Sequence, residues 1–202
     1  VEFVDDITAD LARRDFTFNA MAIDPIDGHL IDPFGGERDL EARVLRAVGD
    51  AAERFFEDGL RVLRAARFSA TLECSIDPGT ERAMGAPRSL DTFRRVSAER
   101  VRDEWMKAMT ARRPSVAFEA MRRTAILDIT CPELTATIGV EAGAEPDDDV
   151  YHRALVCLDV CKAAPILRVA ALLHDVGKPR ARVIAEATPS AALPEHARLG
   201  AE

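Results

Sequence analysis

Asp58 and Arg61 stand three residues apart in FFEDGLRVLRAARF (55–68), one turn of a helix, so both side chains can point the same way. A carboxylate only accepts hydrogen bonds and a guanidinium only donates them, so the pair sets an acceptor beside a donor. The plain alternative is a surface ion pair: Glu57 and Arg61 are spaced i, i+4, and such a pair contributes roughly 0.2–0.5 kcal/mol. Upstream, RRDFTFNAMAID (13–24) supplies Arg13, Arg14, Asp15 and Asn19. Arginine suits phosphate through its planar fork of donors, whereas Asp15 and Asn19 could serve only turn and strand-end hydrogen bonds. Arg64 and Arg67 continue the arginine series, with surface solvation as the competing account of Arg67. A second group lies near the end, where three of the four histidines fall: His152, His174 and His196. His174 is followed by Asp175 after the apolar run ILRVAALL, and a polar pair at the end of a buried helix needs partners. Imidazole with carboxylate suits a borderline or hard divalent ion, and satisfied structural histidines are the alternative. His29, in IDGHLID, is expected at the surface.

RRDFTFNAMAID, then DPFGG with Asp39-Leu40 (32–40), then FFEDGLRVLRAARF form an ordered set that resembles the class II nucleotidyltransferases, the CCA-adding enzymes and bacterial poly(A) polymerases. The likeness covers about residues 1–135. It implies that the pair at Asp58 and Arg61 selects the base. Cytosine and adenine each present an amino donor beside a ring-nitrogen acceptor, which Asp58 and Arg61 complement. Uracil and guanine present the opposite order and would leave buried groups unpaired. The family implies ribose and triphosphate contacts from Arg14, Asp15 and Asn19, with Arg13 less central, and Arg64 among the nucleotide-binding residues. SAERVRDEWMKAM (97–109) resembles a later family motif, in which Glu99 and Arg100 are expected to brace helices. Where the family usually carries proline after its Glu-Asp pair, Gly59 stands here, and glycine loosens a helix start by up to ~1 kcal/mol. Nucleotidyl transfer also needs Mg²⁺-binding carboxylates, which the family draws from an Asp-x-Asp after a Gly-Gly turn. Neither occurs before Arg13, and Asp5, Asp6 and Asp10 lack that setting, so no catalytic residue for transfer is assigned and the chain alone is not expected to transfer nucleotides.

His152, His174-Asp175 and His196, with HDVGKP after an apolar helix, resemble the HD superfamily of metal phosphohydrolases fused behind some bacterial CCA-adding enzymes. That likeness implies a divalent ion such as Mn²⁺, Ni²⁺ or Mg²⁺ on those four residues and hydrolysis of a phosphomonoester or cyclic phosphodiester. Lys178 either contacts phosphate or is a helix-end lysine. The superfamily's final aspartate lies further along than this sequence runs.

These groups need elements to hold them. FTFNAMAID (16–24) alternates as a strand, PIDG turns and HLID returns, a β-hairpin. A short helix is expected after Gly35-Gly36, and VLRAV as a last strand. From Asp50 to Leu72 the pattern is helical, with Phe56, Leu60, Leu63 and Ala66 on one face. Pro78, Pro87 and Pro114 punctuate further helices, clearest at 97–111 and 114–123; EAGAEPDDD (141–149) reads as a loop. Two apolar helices follow, in ALVCLDVC and ILRVAALL. The expected fold class is α+β, mainly α. Its parts are a β-hairpin remnant of a nucleotidyltransferase head (1–50), a helical neck and body that selects nucleotide and holds RNA (51–140), and a helical HD domain (147–202).

Composition bounds the rest. The chain of 202 residues, 48% hydrophobic and 31% charged, can bury a core and has no apolar stretch of the ~20 residues that span a bilayer. No signal peptide opens it, Val1 enters structured sequence, and a helical pattern still runs at Glu202, so both ends are expected to be cuts. Cys74, Cys131, Cys157 and Cys161 form no CxxC pair, which suits a reduced, cytoplasmic compartment and no zinc site. The net charge of −8 divides into −7 for residues 1–50, +4 for 51–123 and −5 for 124–202. The basic middle is a candidate phosphate track, or a set of solvated helix faces. The leading expectation is addition of CCA to the 3′ end of tRNA from CTP and ATP, with no membrane partner. A poly(A), CC- or A-adding enzyme, an HD-type 2′,3′-cyclic phosphodiesterase or phosphatase, and a non-catalytic RNA-binding remnant stay open beside it.

Overall fold

A computed structural model describes residues 6–141, 149–187 and 196–201. Most of the loop expected at 141–149 and the early Asp5 lie outside them. The chain opens with α1 (Ile7–Leu11), capped by Asp6, whose Oδ1 accepts from Thr8 N–H at 2.9 Å. The hairpin is present but shorter than its alternation suggests: β1 (Ala22–Ile23) pairs antiparallel with β2 (Leu30–Ile31). Phe16 instead bridges Ala47, and Thr17–Asn19 form a 3₁₀ turn, because residues 15–17 bond to the 46–48 segment instead. The short helix after the glycine pair is α2 (Gly36–Glu41), and Asp32 accepts from Gly36 N–H and Glu37 N–H at its start. Burial works against the charged form of Asp32, but the N–H groups of Glu37, Gly36, Gly35 and Phe34 outweigh it and hold the carboxyl below its usual range.

The expected strand in VLRAV is β3 (Val44–Leu45), which pairs in parallel with β4 (Ser75–Ile76). The stretch from Asp50 to Leu72 is two helices, α3 (Ala51–Glu57) and α4 (Leu60–Thr71), broken at Asp58 with φ −144°. That break corrects the expected face: Phe55 is fully buried and Phe56 is exposed, while Leu60, Leu63 and Ala66 are buried as expected. Helical periodicity cannot be carried through a residue in extended conformation. Pro78 and Pro87 open α5 (Pro78–Met84) and α6 (Pro87–Phe93), where the missing N–H costs nothing. Then come α7 (Ala98–Ala108), α8 (Ser115–Arg123) behind Pro114, α9 (Leu127–Thr130) and α10 (Pro132–Thr135). The apolar helices are α11 (Val150–Val160) and α12 (Pro165–Leu173), followed by α13 (Lys178–Ala187) and α14 (His196–Ala201). No helix among the described residues is long and apolar enough to cross a membrane.

One hydrophobic cluster runs from Phe16 and Leu45 through Phe55, Leu63, Phe118 and Met121 to Tyr151, Leu158 and Leu172. The C-terminal helices α11 and α12 therefore share a core with the middle of the chain. Two polar joints fix them there. Asp159 of α11 accepts from Ser115 N–H at 3.0 Å and Ser115 Oγ at 2.6 Å, at the start of α8. Arg168 of α12, 4% exposed, donates through Nη1 to the carbonyls of Met109 at 2.6 Å and Ala111 at 2.7 Å, at the end of α7. Each joint supplies a partner that a helix end lacks.

Candidate functional site

A cleft of about 620 Å³ opens where the head segment 13–19 meets α4 and α7. Arg14, Asp15, Asn19, Asp58, Arg61 and Arg64, the six nucleotide-binding candidates, all line it, together with Arg13, Arg67, Phe68, Arg100 and Lys107. Seven cationic side chains and two carboxylates line it, and Asp10, Glu57 and Glu104 pair with four of those cations from outside the cleft, which still leaves a positive balance suited to phosphate.

Its wall is held from below. Asp39, 2% exposed, accepts from Thr17 Oγ1 at 2.9 Å and from Arg46 Nε at 3.1 Å, tying the 13–19 segment to α2 and β3. Asp15, also buried, accepts on Oδ1 from Phe16 N–H and Asn19 Nδ2, both at 3.0 Å, and on Oδ2 from Arg64 at 2.7–2.8 Å. Asp15 thus combines the turn role with that of orienting Arg64 and Asn19. Arg14 pairs with Asp10 at 2.8 Å on the surface, so the early acids Asp6 and Asp10 serve as a cap and an ion-pair partner.

Arg61 is fixed on three sides: Nη1 donates to Arg54 O at 3.1 Å and Glu57 Oε2 at 2.9 Å, and Nη2 to Arg13 O at 2.8 Å. The i, i+4 ion pair read from the sequence is therefore real, and it sets the plane of the guanidinium. Three of the five donors are used. Arg54 completes the grip by donating to Ala12 O at 2.9 Å. Asp58 is held separately. Its Oδ1 accepts from Leu60 N–H at 3.1 Å, and Arg100 Nη2 lies 2.9 Å from Oδ2 and 3.3 Å from Oδ1.

Arg67 is not solvated surface. Its side chain is 11% exposed, its guanidinium lies 3.7 Å from the ring centre of Phe68, and Nε donates to Glu104. Glu104, 2% exposed, also receives Lys107 Nζ at 2.9 Å. Burial pushes its carboxyl up, but Lys107 and Arg67 outweigh that and leave it below the usual range. Sequence reasoning missed Glu104 and the contact of Arg100 with Asp58; the only signal for either was the 97–109 string. Gly59 has its own reason. A Cβ there would lie 2.7 Å from Phe93 N and Thr92 C, so glycine lets α4 start against the backbone end of α6. Its φ of −57° suits proline, and only that contact forbids one.

Asp15 and Asp58 are each engaged by an arginine, so the cleft presents no pair of free carboxylates to Mg²⁺, and its side chains do not fit that ion.

The second group gathers on Asp175, which is 6% exposed. His174 Nε2 lies 3.1 Å and Lys178 Nζ 2.7 Å from Oδ2, and His196 Nε2 lies 3.3 Å from Oδ1. His174 Nδ1 donates to Ala171 O at 2.8 Å, which fixes the ring. Gly177 allows the approach of His196, whose carbonyl a Cβ at that position would strike. His152 instead sets Nδ1 2.7 Å from Asp149 Oδ1, at the start of α11. Among the described residues no three His, Cys, Asp or Glu side chains are grouped to hold a metal ion. With Lys178 on Asp175, the side chains as placed do not fit a divalent ion. His29 is exposed, as expected.

Comparison with known proteins places these features among relatives. Residues 1–46 match the poly(A) polymerase head domain model, and residues 75–138 match the model described as the probable RNA and SrmB-binding site of polymerase A. The multifunctional CCA protein of Xylella fastidiosa strain M23 is 40% identical over 196 residues, 93% of this chain and 45% of the relative. That of Hahella chejuensis is 40% identical over 177 residues, 84% of this chain and 41% of the relative. The chain thus spans about half the length of the curated relatives it matches. Among solved structures, the Bacillus stearothermophilus CCA-adding enzyme in complex with CTP matches with TM-score 0.62 and 30% identity, over 94% of this chain and 49% of that one. A tRNA nucleotidyltransferase complexed with a primer tRNA and an incoming ATP analog matches with TM-score 0.63 and 28% identity, over 95% of this chain and 56% of that one.

Proposed function

From a chain that belongs to the family of CCA-adding tRNA nucleotidyltransferases and poly(A) polymerases, we propose the nucleotide-selecting and RNA-holding part of an enzyme that adds CCA to the 3′ end of tRNA. One observation carries the reading: six residues chosen from two strings some forty positions apart line a single cationic cleft. In it Asp58 accepts the amino group of cytosine or adenine, and Arg61 donates to the adjacent ring nitrogen. Two donors of Arg61 remain for that contact, and its plane is set beforehand by Arg54 O, Arg13 O and Glu57. Arg14, Arg64 and Asn19 face ribose and triphosphate, with Asp15 orienting the last two. The transfer step itself requires Mg²⁺ carboxylates, which the six cleft residues do not supply, so the role proposed for them is selection and positioning of CTP, ATP and the tRNA end, in the cytoplasm.

The direct test is equilibrium binding of CTP, ATP, UTP and GTP to the 202-residue chain. CTP and ATP bind more tightly than UTP and GTP, and Asp58→Ala brings the CTP-to-UTP affinity ratio close to one. Unchanged preference in Asp58→Ala removes the assignment.

A second reading is favoured by the convergence of His174 and His196 on buried Asp175. That reading is an HD-type phosphohydrolase; as placed, Lys178 occupies the carboxylate and His152 pairs with Asp149, so these side chains do not form a ready site for Mn²⁺, Ni²⁺ or Mg²⁺. Titration with Mn²⁺ checks it, and no binding at millimolar metal counts against a preformed site.

A further inference from the structure

Asp58 can read a base only if its carboxylate is held in one orientation. Asp58 lies at the break between α3 and α4, where its backbone N–H closes α3 on Arg54 O and its carbonyl accepts from Arg61 N–H, and its side chain is 36% exposed. A carboxylate in that position turns freely about two bonds unless something fixes it. Leu60 N–H engages one oxygen only. Arg100 reaches it from the first turns of α7, 42 residues along the chain, and its Nη2 touches both oxygens.

We propose that Arg100 is the positioning residue for base selection: its guanidinium, set between both oxygens of Asp58, fixes the orientation in which that carboxylate accepts the amino group of cytosine or adenine. This rests on the reading of Asp58 given above. The accounting of lone pairs supports it. Two carboxylate oxygens offer about four acceptor positions, and Arg100 and Leu60 N–H take three, leaving one for a base. Arg100 can therefore stay in place when the base enters. The hydrogen bond is charged and so of the strong kind, and it is made through a single nitrogen, a contact that a lysine ammonium could supply in part.

Arg100 is itself held at the right place by the helix it stands on. One turn further along α7, Glu104 anchors the same helix face to Arg67 of α4 and to Lys107. Selection of the base then depends on the spacing between α4 and α7, and a residue that does not touch the base decides how sharply it is read.

The test measures the CTP-to-UTP affinity ratio of the 202-residue chain for Arg100→Met, Arg100→Lys, Asp58→Ala and the double variant Asp58→Ala/Arg100→Met. Arg100→Met is expected to lower the ratio by at least about tenfold, chiefly through weaker CTP binding, and Arg100→Lys to restore part of it. In the Asp58→Ala background the Arg100 substitution should change the ratio less than about twofold. A purely structural role would weaken CTP and UTP alike and leave the ratio unchanged, and that result overturns the proposal. An equal loss of ratio with and without Asp58 overturns it too, because Arg100 would then act on the base directly. If Asp58→Ala alone keeps the wild-type ratio, the reading of Asp58 fails first, and that outcome is distinct from either of the others. Arg100 is half-exposed, so its variants should fold, and unchanged thermal midpoints verify this.

Discussion

Gly59→Ala puts the closeness of α4 and α6 to a quantitative test. Two effects of opposite sign compete. Replacing glycine by alanine favours the folded chain by about 0.4–1 kcal/mol, since alanine restricts the unfolded state and the φ of −57° suits it. Against this, the new Cβ would stand 2.7 Å from Phe93 N and Thr92 C and 2.8 Å from Phe93 Cα. Those atoms are backbone at the end of α6, with no flexible side chain to swing aside. Ordinary contact begins near 3.4 Å, so the two helices must separate by roughly 0.7 Å in a core that contains Leu60, Leu63 and Phe93. Forced overpacking of this kind costs typically about 1–3 kcal/mol. The clash exceeds that gain, and a net loss of about 1–2 kcal/mol is expected. For a chain of this size that lowers the thermal midpoint by roughly 2–8 °C. Urea unfolding should show a lower midpoint with an unchanged slope. A midpoint equal to or above that of the wild type would refute the close approach of α4 to α6, and with it the account of why proline is absent here.

Other outcomes follow from buried polar joints. Glu104→Gln removes the charge that balances Arg67 and Lys107, and is expected to cost roughly 2–4 kcal/mol at neutral pH, read from urea midpoints. Because the folded carboxyl titrates below its usual range, its stabilisation is full above that range and is lost as pH falls through the folded value. The wild type should therefore lose stability on acidification more steeply than Glu104→Gln, and parallel acid limbs would contradict this. Arg168→Met leaves the carbonyls of Met109 and Ala111 without their donor and should lower the thermal midpoint by about 4–8 °C, for a loss of about 2 kcal/mol; an unchanged midpoint would mean that water replaces the contact without cost.

What could be read from the residues was what lies close in sequence. The prolines at 78, 87 and 114 announce helix starts because φ and the missing N–H act locally. Leu60, Leu63 and Ala66 were legible because α4 keeps one period throughout. The choice between Phe55 and Phe56 was not, since it turns on a break at Asp58 that the apolar pattern does not register. The pairing of β3 with β4 joins two-residue strands 31 positions apart, too short to alternate. At the cleft, the candidate residues were legible because two ordered strings resemble family motifs, and the cleft brings all six together. The partners that fix them were not: Arg64 meets Asp15 across 49 residues and Arg100 meets Asp58 across 42, distances over which only the fold decides neighbours.

The joints at Asp159 and Arg168 bear on how this chain could ever be divided. Removing the chain from α11 onward would look harmless on the sequence, yet it would strip α7 of the donor at its last turn and α8 of the acceptor at its first. It would also uncover the cluster where Tyr151 and Leu158 pack. Since α7 is the helix that carries Arg100 and Lys107 to the cleft, its far end is anchored by a segment that does not line that cleft. The C-terminal helices thus act as a buttress, and the geometry of the cleft leans on them mechanically.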